Sequence, residues 1–191
     1  MPSALFVISN GFEEIETVTP LDILRRAGIH CVLASLEPDT SICGRNEIIL
    51  KADVSMADLA SEGTPPAAQF DMIVLPGGPS APRMSQDERV LDLVRSFRDH
   101  GRKIAAICAA PLILKRAGIL GDDDACTCHH SVAEHFPQRD ATKPAICHDG
   151  RIYTSQGAGT SVEFGLMLVA ALCGTEEARR VAEAICWQHG C

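Results

Sequence analysis

The chain is punctuated by apolar runs that are too short for a helix and too continuous for a strand with one wet face. Ala4-Leu5-Phe6-Val7-Ile8, Met72-Ile73-Val74-Leu75 and Lys103-Ile104-Ala105-Ala106-Ile107 are of this kind. A strand exposed on one side alternates apolar and polar residues, whereas a continuous run suits a strand covered on both faces, as in a parallel sheet between helices. Further strands are expected at residues 31–35, 47–50 and 152–154. Helical spacing follows most of these runs. Residues 88–97 carry Val90, Leu91, Leu93, Val94 and Phe97 between charges and stop before Gly101. Residues 109–117 close at Gly118 with Lys115 and Arg116 in the last turn, where the helix dipole favours cations. Residues 160–172 predict a mostly buried helix ending at Gly174, and residues 176–188 an amphipathic one. The alternation predicts an α/β fold: an open, mainly parallel, doubly wound sheet of the flavodoxin-like kind, with helices on both faces as a three-layer sandwich.

A length of 191 residues predicts a single domain spanning 1–191. The one linker-like stretch, residues 62–69 around Pro65 and Pro66, lies between strand patterns and is expected to be a surface loop. Hydrophobic residues at 46% and charged residues at 22% exclude a disordered chain. A net charge of -8 without a Lys/Arg run repels phosphate backbones, so no nucleic acid partner is expected. No window approaches the length of a membrane span, and the first residues run straight into Glu13, Glu14 and Glu16 without a basic, export-type start. No membrane association is expected. Nine cysteines, odd in number and irregularly spaced, argue against a disulfide framework and for reduced thiols in the cytoplasm.

In open parallel sheets, ligands bind beyond the carboxyl ends of the strands. Cys108 follows one such end and precedes a helical stretch with Pro111 in its first turn. Backbone N–H groups at a helix start favour thiolate over thiol, which would make Cys108 nucleophilic and oxidisable. The position equally suits an inert thiol ending a buried strand, and spacing does not choose between the two. Gly77-Gly78 follows another strand and could bring the Gly78 N–H beside Cys108 as an oxyanion donor. Asn10 and Glu13 match a capping box, and Glu13 and Glu14 suit a first helical turn. Glu16 instead shares a helix face with Pro20, Ile23 and Ala27, an inward stripe where lost hydration would raise its pKa toward neutrality. Cys126-Thr127-Cys128-His129-His130 resembles a metal cluster, yet as a strand its neighbours point to opposite faces, so no metal site is expected. His129 is instead a base or proton carrier for Cys108. Gly157-Ala158-Gly159-Thr160-Ser161-Val162 has Val where a dinucleotide fingerprint needs its third Gly, and a helix start capped by Thr160 or Ser161 explains it. The C-terminal Cys186 and Cys191 suit a frayed helix end.

These segments together resemble the ThiJ/PfpI superfamily, in particular its branch of protein deglycases and glyoxalase III-like proteins. The resemblance covers nearly the whole chain. It rests on Gly11-Phe12-Glu13-Glu14-Ile15-Glu16-Thr17, Arg25-Arg26-Ala27-Gly28, Leu75-Pro76-Gly77-Gly78, Ala105-Ala106-Ile107-Cys108-Ala109-Ala110-Pro111, Thr127-Cys128-His129 and Thr154-Ser155-Gln156-Gly157-Ala158-Gly159-Thr160-Ser161. It implies that Cys108 is the reactive cysteine, Glu16 its protonated carboxylic partner and His129 the nearby histidine. The backbone N–H groups of Gly78 and Ala109 would be the oxyanion donors. It also implies a homodimer using the first helix, no obligatory cofactor, and anion binding by Arg26 and Arg45 near the dimer boundary. Two positions depart from the pattern: His130 replaces a proline, and Gln156 stands where an arginine is usual.

The implied activity is a cofactor-free, cysteine-dependent conversion of small reactive carbonyl compounds, 2-oxoaldehydes such as methylglyoxal, to hydroxy acids. A non-enzymatic alternative is a redox-responsive stress protein or holdase chaperone whose Cys108 becomes a sulfinate beside protonated Glu16. A cysteine amidase or protease ranks below both, because that branch has a histidine directly after the cysteine and Ala109 stands there.

Overall fold

The computed structural model describes residues 1–61, 63–136 and 145–188. Nine strands are present among them: β1 (Ser3–Ile8), β2 (His30–Ser35), β3 (Ser41–Cys43), β4 (Ile49–Lys51), β5 (Val54–Ser55), β6 (Met72–Leu75), β7 (Lys103–Ile107), β8 (Ile146–Asp149) and β9 (Ile152–Ser155). The helices are α1 (Glu14–Arg26), α2 (Met56–Ser61), α3 (Pro66–Gln69), α4 (Ser80–Met84), α5 (Glu88–Asp99), α6 (Pro111–Arg116), α7 (Ser161–Cys173) and α8 (Thr175–Ala184).

Seven strands form one sheet in the order β5-β2-β1-β6-β7-β9-β8. Every pairing is parallel except that of β8 with β9. The chain steps outward from β1 to β2 and β5, then returns to build β6, β7 and β9 on the other side of β1. Winding reverses between β1 and β6, and such a reversal opens a crevice at the carboxyl ends of the strands. The continuous apolar runs become the central strands because both of their faces are covered. Leu5, Val7, Ile73, Leu75 and Ala106 point into a core shared with α5 and α6. Phe6, Ile8, Val74 and Ile107 point into the opposite core, shared with α1 and α7. The layers are therefore helix, sheet, helix, as the patterning predicts.

The helix carrying the five apolar residues behaves as its spacing requires. Asp87 caps α5 by accepting the Arg89 N–H at 3.0 Å, and Val90, Leu91, Leu93, Val94 and Phe97 are all buried. Elsewhere the structure corrects the boundaries. Of residues 47–50 only Ile49 and Leu50 are strand, because Glu47 turns the chain with φ +65°. The strand begins at Ile49 and pairs with β3 as a separate antiparallel hairpin. Strands β3, β5 and β8 are not marked in the sequence; β5 has two residues and β8 has only Ile146 and Cys147 before His148 and Asp149, so neither has an apolar run. Within the expected loop, Pro66–Gln69 forms a single turn of helix with proline at its start. Residue 62 lies outside the described residues.

Candidate active site

The strand β7 ends at Ile107 and the chain reverses at Cys108, whose φ of +66° is uncommon for a residue with a side chain. Both of its backbone groups are held. The Cys108 N–H donates to the Ser155 carbonyl at 2.9 Å, and its carbonyl accepts from the His129 N–H at 2.8 Å. Neighbouring segments on two sides thus enforce a conformation that the residue would not adopt alone. Helix α6 starts at Pro111, with Ala110 as its N-cap, instead of at residue 109. Cys108 is therefore three residues ahead of the helix. The donors that reach its sulfur are the backbone N–H groups of Gly78 and Ala109.

The opposite wall is the turn after β6. Helix α1 starts with Glu13 as its own cap, its Oε2 accepting the Glu16 N–H at 2.8 Å. Asn10 does not complete a capping box with it; its Oδ1 accepts the Cys43 N–H at 3.0 Å, tying the turn to the β3–β4 hairpin. Glu16 faces inward along the stripe with Pro20 and Ile23 and is 1% exposed. Its Oε2 accepts the Gly77 N–H at 3.0 Å, and its carboxyl is hydrogen-bonded to the Cys108 thiol. No side chain fits at Gly77: a Cβ there would lie 2.7 Å from both the Cys108 Cβ and Glu16 Oε2, and 2.9 Å from the Ile107 carbonyl. Gly78 has φ +96°, and a Cβ would meet the Gly11 carbonyl at 2.6 Å. The glycine pair is what allows a thiol, a carboxyl and two N–H donors to converge.

Burial is the largest influence on both acids. It pushes Glu16 up to about 7, helped by the charge of Glu13 and opposed by hydrogen bonds from Cys108 and Gly77 and by the charge of Arg45. Burial, the Glu16 charge and the Glu16 hydrogen bond push the Cys108 thiol up to about 12, against the pull of the Gly78 and Ala109 N–H groups. The expected thiolate-favouring environment is therefore not what an ionised Glu16 provides. Two acids in contact in a dry site do not both ionise, so the pair carries at most one negative charge near neutral pH. With the proton on Glu16, its repulsion of the sulfur turns into hydrogen-bond donation.

His129 sits half-buried at the third wall. Its Nδ1 accepts the Ser131 N–H at 3.2 Å and is 2.8 Å from the Ser131 hydroxyl. A backbone N–H can only donate, so Nδ1 is unprotonated and the ring proton is on Nε2. The ring edge bearing Nε2 faces the cleft: a Cβ placed on Gly157 would be 3.6 Å from His129 Cδ2 and 3.9 Å from Glu16 Oε1. Burial, His130 and Arg45 lower the His129 pKa, in that order, and keep it neutral. The His130 ring packs against it, tilted by 37° with ring centroids 3.9 Å apart. The structure thus brings together Cys108, Glu16, Gly78, Ala109 and His129, with Arg45 near enough to act on the charges of Glu16 and His129.

Arg26 is not part of this group. It ends α1, pairs with Asp22 at 2.7 Å and lies a whole helix away from Arg45, whose N–H binds the Phe12 carbonyl ahead of the same helix. The two arginines form no common site within one chain. Residues 126–129 run extended beside β9 without joining the sheet: the Thr127 N–H donates to Thr154 Oγ1 at 2.9 Å, and Cys126, Thr127 and Cys128 are all buried. Among the described residues no three His, Cys, Asp or Glu side chains form a metal-binding group. Thr160 occupies the N-cap position of α7, as expected, but its hydroxyl binds the Gly157 N–H and Ser155 instead of the helix. Sequence inspection missed Gly77, whose N–H holds Glu16, and Ser131, which orients His129. The Gly-Gly pair carried a signal for the first; a serine two residues after a histidine carried none.

A sharp turn that holds a cysteine over backbone donors at the switch point of a doubly wound sheet defines a cysteine-centred flavodoxin-like α/β protein. Residues 2–171 match the model of the DJ-1/PfpI family, and the chain belongs to that family. Protein dj-1beta of Drosophila melanogaster is 33% identical over 186 residues, covering 96% of both chains. A protein of Caenorhabditis elegans named glutathione-independent glyoxalase DJR-1.2 is 29% identical over 177 residues, covering 91% of this chain and 90% of its own length. The solved structure of oxidized Toxoplasma gondii DJ-1 superposes with a TM-score of 0.89 at 28% identity, covering 99% of this chain and 100% of that one.

Proposed function

We propose that this protein is a cofactor-free glyoxalase or deglycase acting on 2-oxoaldehydes such as methylglyoxal. The observation that carries the proposal is the Cys108 sulfur, held at a strained turn against the Glu16 carboxyl and the N–H groups of Gly78 and Ala109. The thiol gives its proton to the Glu16 carboxylate as sulfur bonds to the aldehyde carbon, and the two N–H groups hold the developing oxyanion. Glu16, poised near 7, passes that proton to the oxyanion to complete a hemithioacetal, and as carboxylate again removes the proton from the same carbon while the His129 Nε2–H hydrogen-bonds to the adjacent oxygen. Return of the proton to the neighbouring carbon leaves a thioester of a 2-hydroxy acid, which water cleaves to release the acid and restore the thiol. The step is an internal redox exchange between two carbons and needs no outside oxidant. A relative named as a glutathione-independent glyoxalase supports the assignment. Turnover of methylglyoxal by the wild type and its absence in Cys108→Ala tests it; wild-type rates in the variant would sink it.

A second reading has Cys108 as a redox sensor in a stress protein or holdase. Its support is the protonated Glu16 beside the sulfur, a donor suited to a sulfinate, and a similar solved structure described as oxidized. Intact mass after low-dose peroxide separates this reading, which requires added oxygen on Cys108. The amidase alternative has less support, since Ala109 offers no imidazole.

The partner we propose is a second copy of the chain, through the outer face of α1 and the hairpin. Ile15, Val18, Ile48 and Ile49 are large apolar residues left exposed there, at 52%, 43%, 54% and 65%. Among the described residues the eight cysteines form no disulfide, which suits the cytoplasm proposed as its location. Among the described residues no helix is long and apolar enough to cross a membrane.

A further inference from the structure

A cavity of about 410 Å³ opens beyond the carboxyl end of β2 and shares no residue with the Cys108 cleft. It lies where the turn after β2 meets α2, the start of α3 and one face of α5. Leu36, Pro38, Met56, Ala57, Pro66 and Leu93 make its walls apolar. Its volume falls within the roughly 300–1,000 Å³ of small-molecule sites. Water filling a space of this size would find few partners, so an apolar occupant gains by displacing it.

Polar groups are confined to the rim, and each has a defined state. The Arg89 guanidinium spends Nε and Nη2 on Asp87, at 3.0 and 2.6 Å, while its Nη1 has no protein partner among the described residues. The Ser96 hydroxyl, also lining the cavity, makes no hydrogen bond among the described residues. Glu37 is fixed at the mouth, its Oε1 accepting from the Ser9 hydroxyl at 2.7 Å and the Asn10 N–H at 3.3 Å. Two donors without a protein partner among the described residues thus border the apolar space, Arg89 at its solvent edge with a side chain 72% exposed. Asp87 already neutralises the one cation, and the Glu37 carboxylate adds a negative charge close enough to act on Arg89. A carboxylate ligand would meet that charge, whereas a neutral oxygen would accept from Arg89 or Ser96 without penalty.

We propose that this cavity is a second ligand site, for a small neutral amphiphile: an aliphatic or aromatic body of a few carbons bearing one hydroxyl or carbonyl acceptor. The site is independent of the chemistry assigned to Cys108. The test titrates 1-heptanol, then heptanoate, into the ¹⁵N-labelled full-length protein and follows backbone amide shifts. Saturable shifts centred on Leu36, Met56, Leu93 and Ser96 are expected with heptanol, with heptanoate at least tenfold weaker. Ala57→Phe and Ala60→Phe, on the exposed side of α2, fill the mouth and should weaken heptanol at least tenfold, with unchanged melting temperatures and unchanged methylglyoxal turnover. Shifts centred on Cys108, binding undiminished in both variants, or heptanoate binding as tightly as heptanol would each overturn the proposal, as would no saturable shift at all.

Discussion

The backbone N–H of Ser131 donates to Nδ1 of His129 at 3.2 Å, and the Ser131 hydroxyl lies 2.8 Å from the same nitrogen. Together they hold the neutral ring with its proton on Nε2, toward the cleft between Cys108 and Glu16. Removing the hydroxyl leaves only the longer bond. Ser131→Ala is expected to lower kcat by about fivefold, the equivalent of one hydrogen bond of about 1 kcal/mol. Ser131→Thr restores it. Imidazole ¹⁵N shifts should show the Nε2–H tautomer in wild type and still in Ser131→Ala, where the backbone N–H remains; an Nδ1–H tautomer in wild type would refute the assignment.

Glu16 links stability to pH. Its folded pKa, about 7, lies above that of an exposed glutamate, so the folded state binds the extra proton between pH 4.5 and 7. Stability is therefore highest below that window and declines as pH rises through it, by about 3 kcal/mol at most. Glu16→Gln should flatten this decline in urea titrations at pH 5, 6, 7 and 8. The same variant should lose methylglyoxal turnover at every pH. An equally steep decline in the variant would assign the pH dependence elsewhere.

Gly77 is the position where a single methyl group should do most damage. A Cβ there would sit 2.7 Å from Glu16 Oε2 and the Cys108 Cβ, with a strand carbonyl at 2.9 Å. The backbone carbonyl cannot swing away, so the site must open. Gly77→Ala is expected to cost about 1–3 kcal/mol in stability and at least 90% of turnover. Native-like values for both would show that the glycine is dispensable.

The turn at Cys108 stores strain, because φ is +66° on a residue with a Cβ. Cys108→Gly and Cys108→Ala both remove the sulfur, but only glycine relaxes the backbone. The glycine variant should be the more stable of the two by about 1 kcal/mol, read from denaturant midpoints. A more stable alanine variant would mean that the turn is not strained.

Among the exposed apolar residues, Ile49 opens β4 opposite Cys43 and Ile15 lies on the outer face of α1. Ile49→Glu combined with Ile15→Glu should convert a dimer to a monomer in sedimentation equilibrium, with little change in the fold. A wild type that sediments as a monomer would remove the proposed interface.

Fold class and most of the central sheet were legible in the chain because burial on both faces leaves an unmistakable mark: continuous apolar runs where a half-wet strand would alternate. The inward position of Glu16 was legible for the same reason, through its helical spacing to Pro20 and Ile23. Cys108 could be singled out by its place after a strand, although two fates were open to its thiol. Short pairings left no such mark. Strands β3, β5 and β8 exist because another segment offers them free backbone groups, a condition that no local pattern records.

What tertiary structure alone decided is the chemistry of the site. Local sequence placed Cys108 at a helix start, which favours thiolate; packing instead moved the helix to Pro111, set the thiol against Glu16 and buried both. Charges in a low-dielectric site depend on distances between segments far apart in the chain, here Glu16, Gly77, Cys108 and His129, and those distances exist only after the sheet has closed around its switch point. The chain carries the residue types and their faces in its periodicity. Which proton rests on which atom is settled by desolvation and by a few backbone N–H groups, and these are properties of the folded molecule.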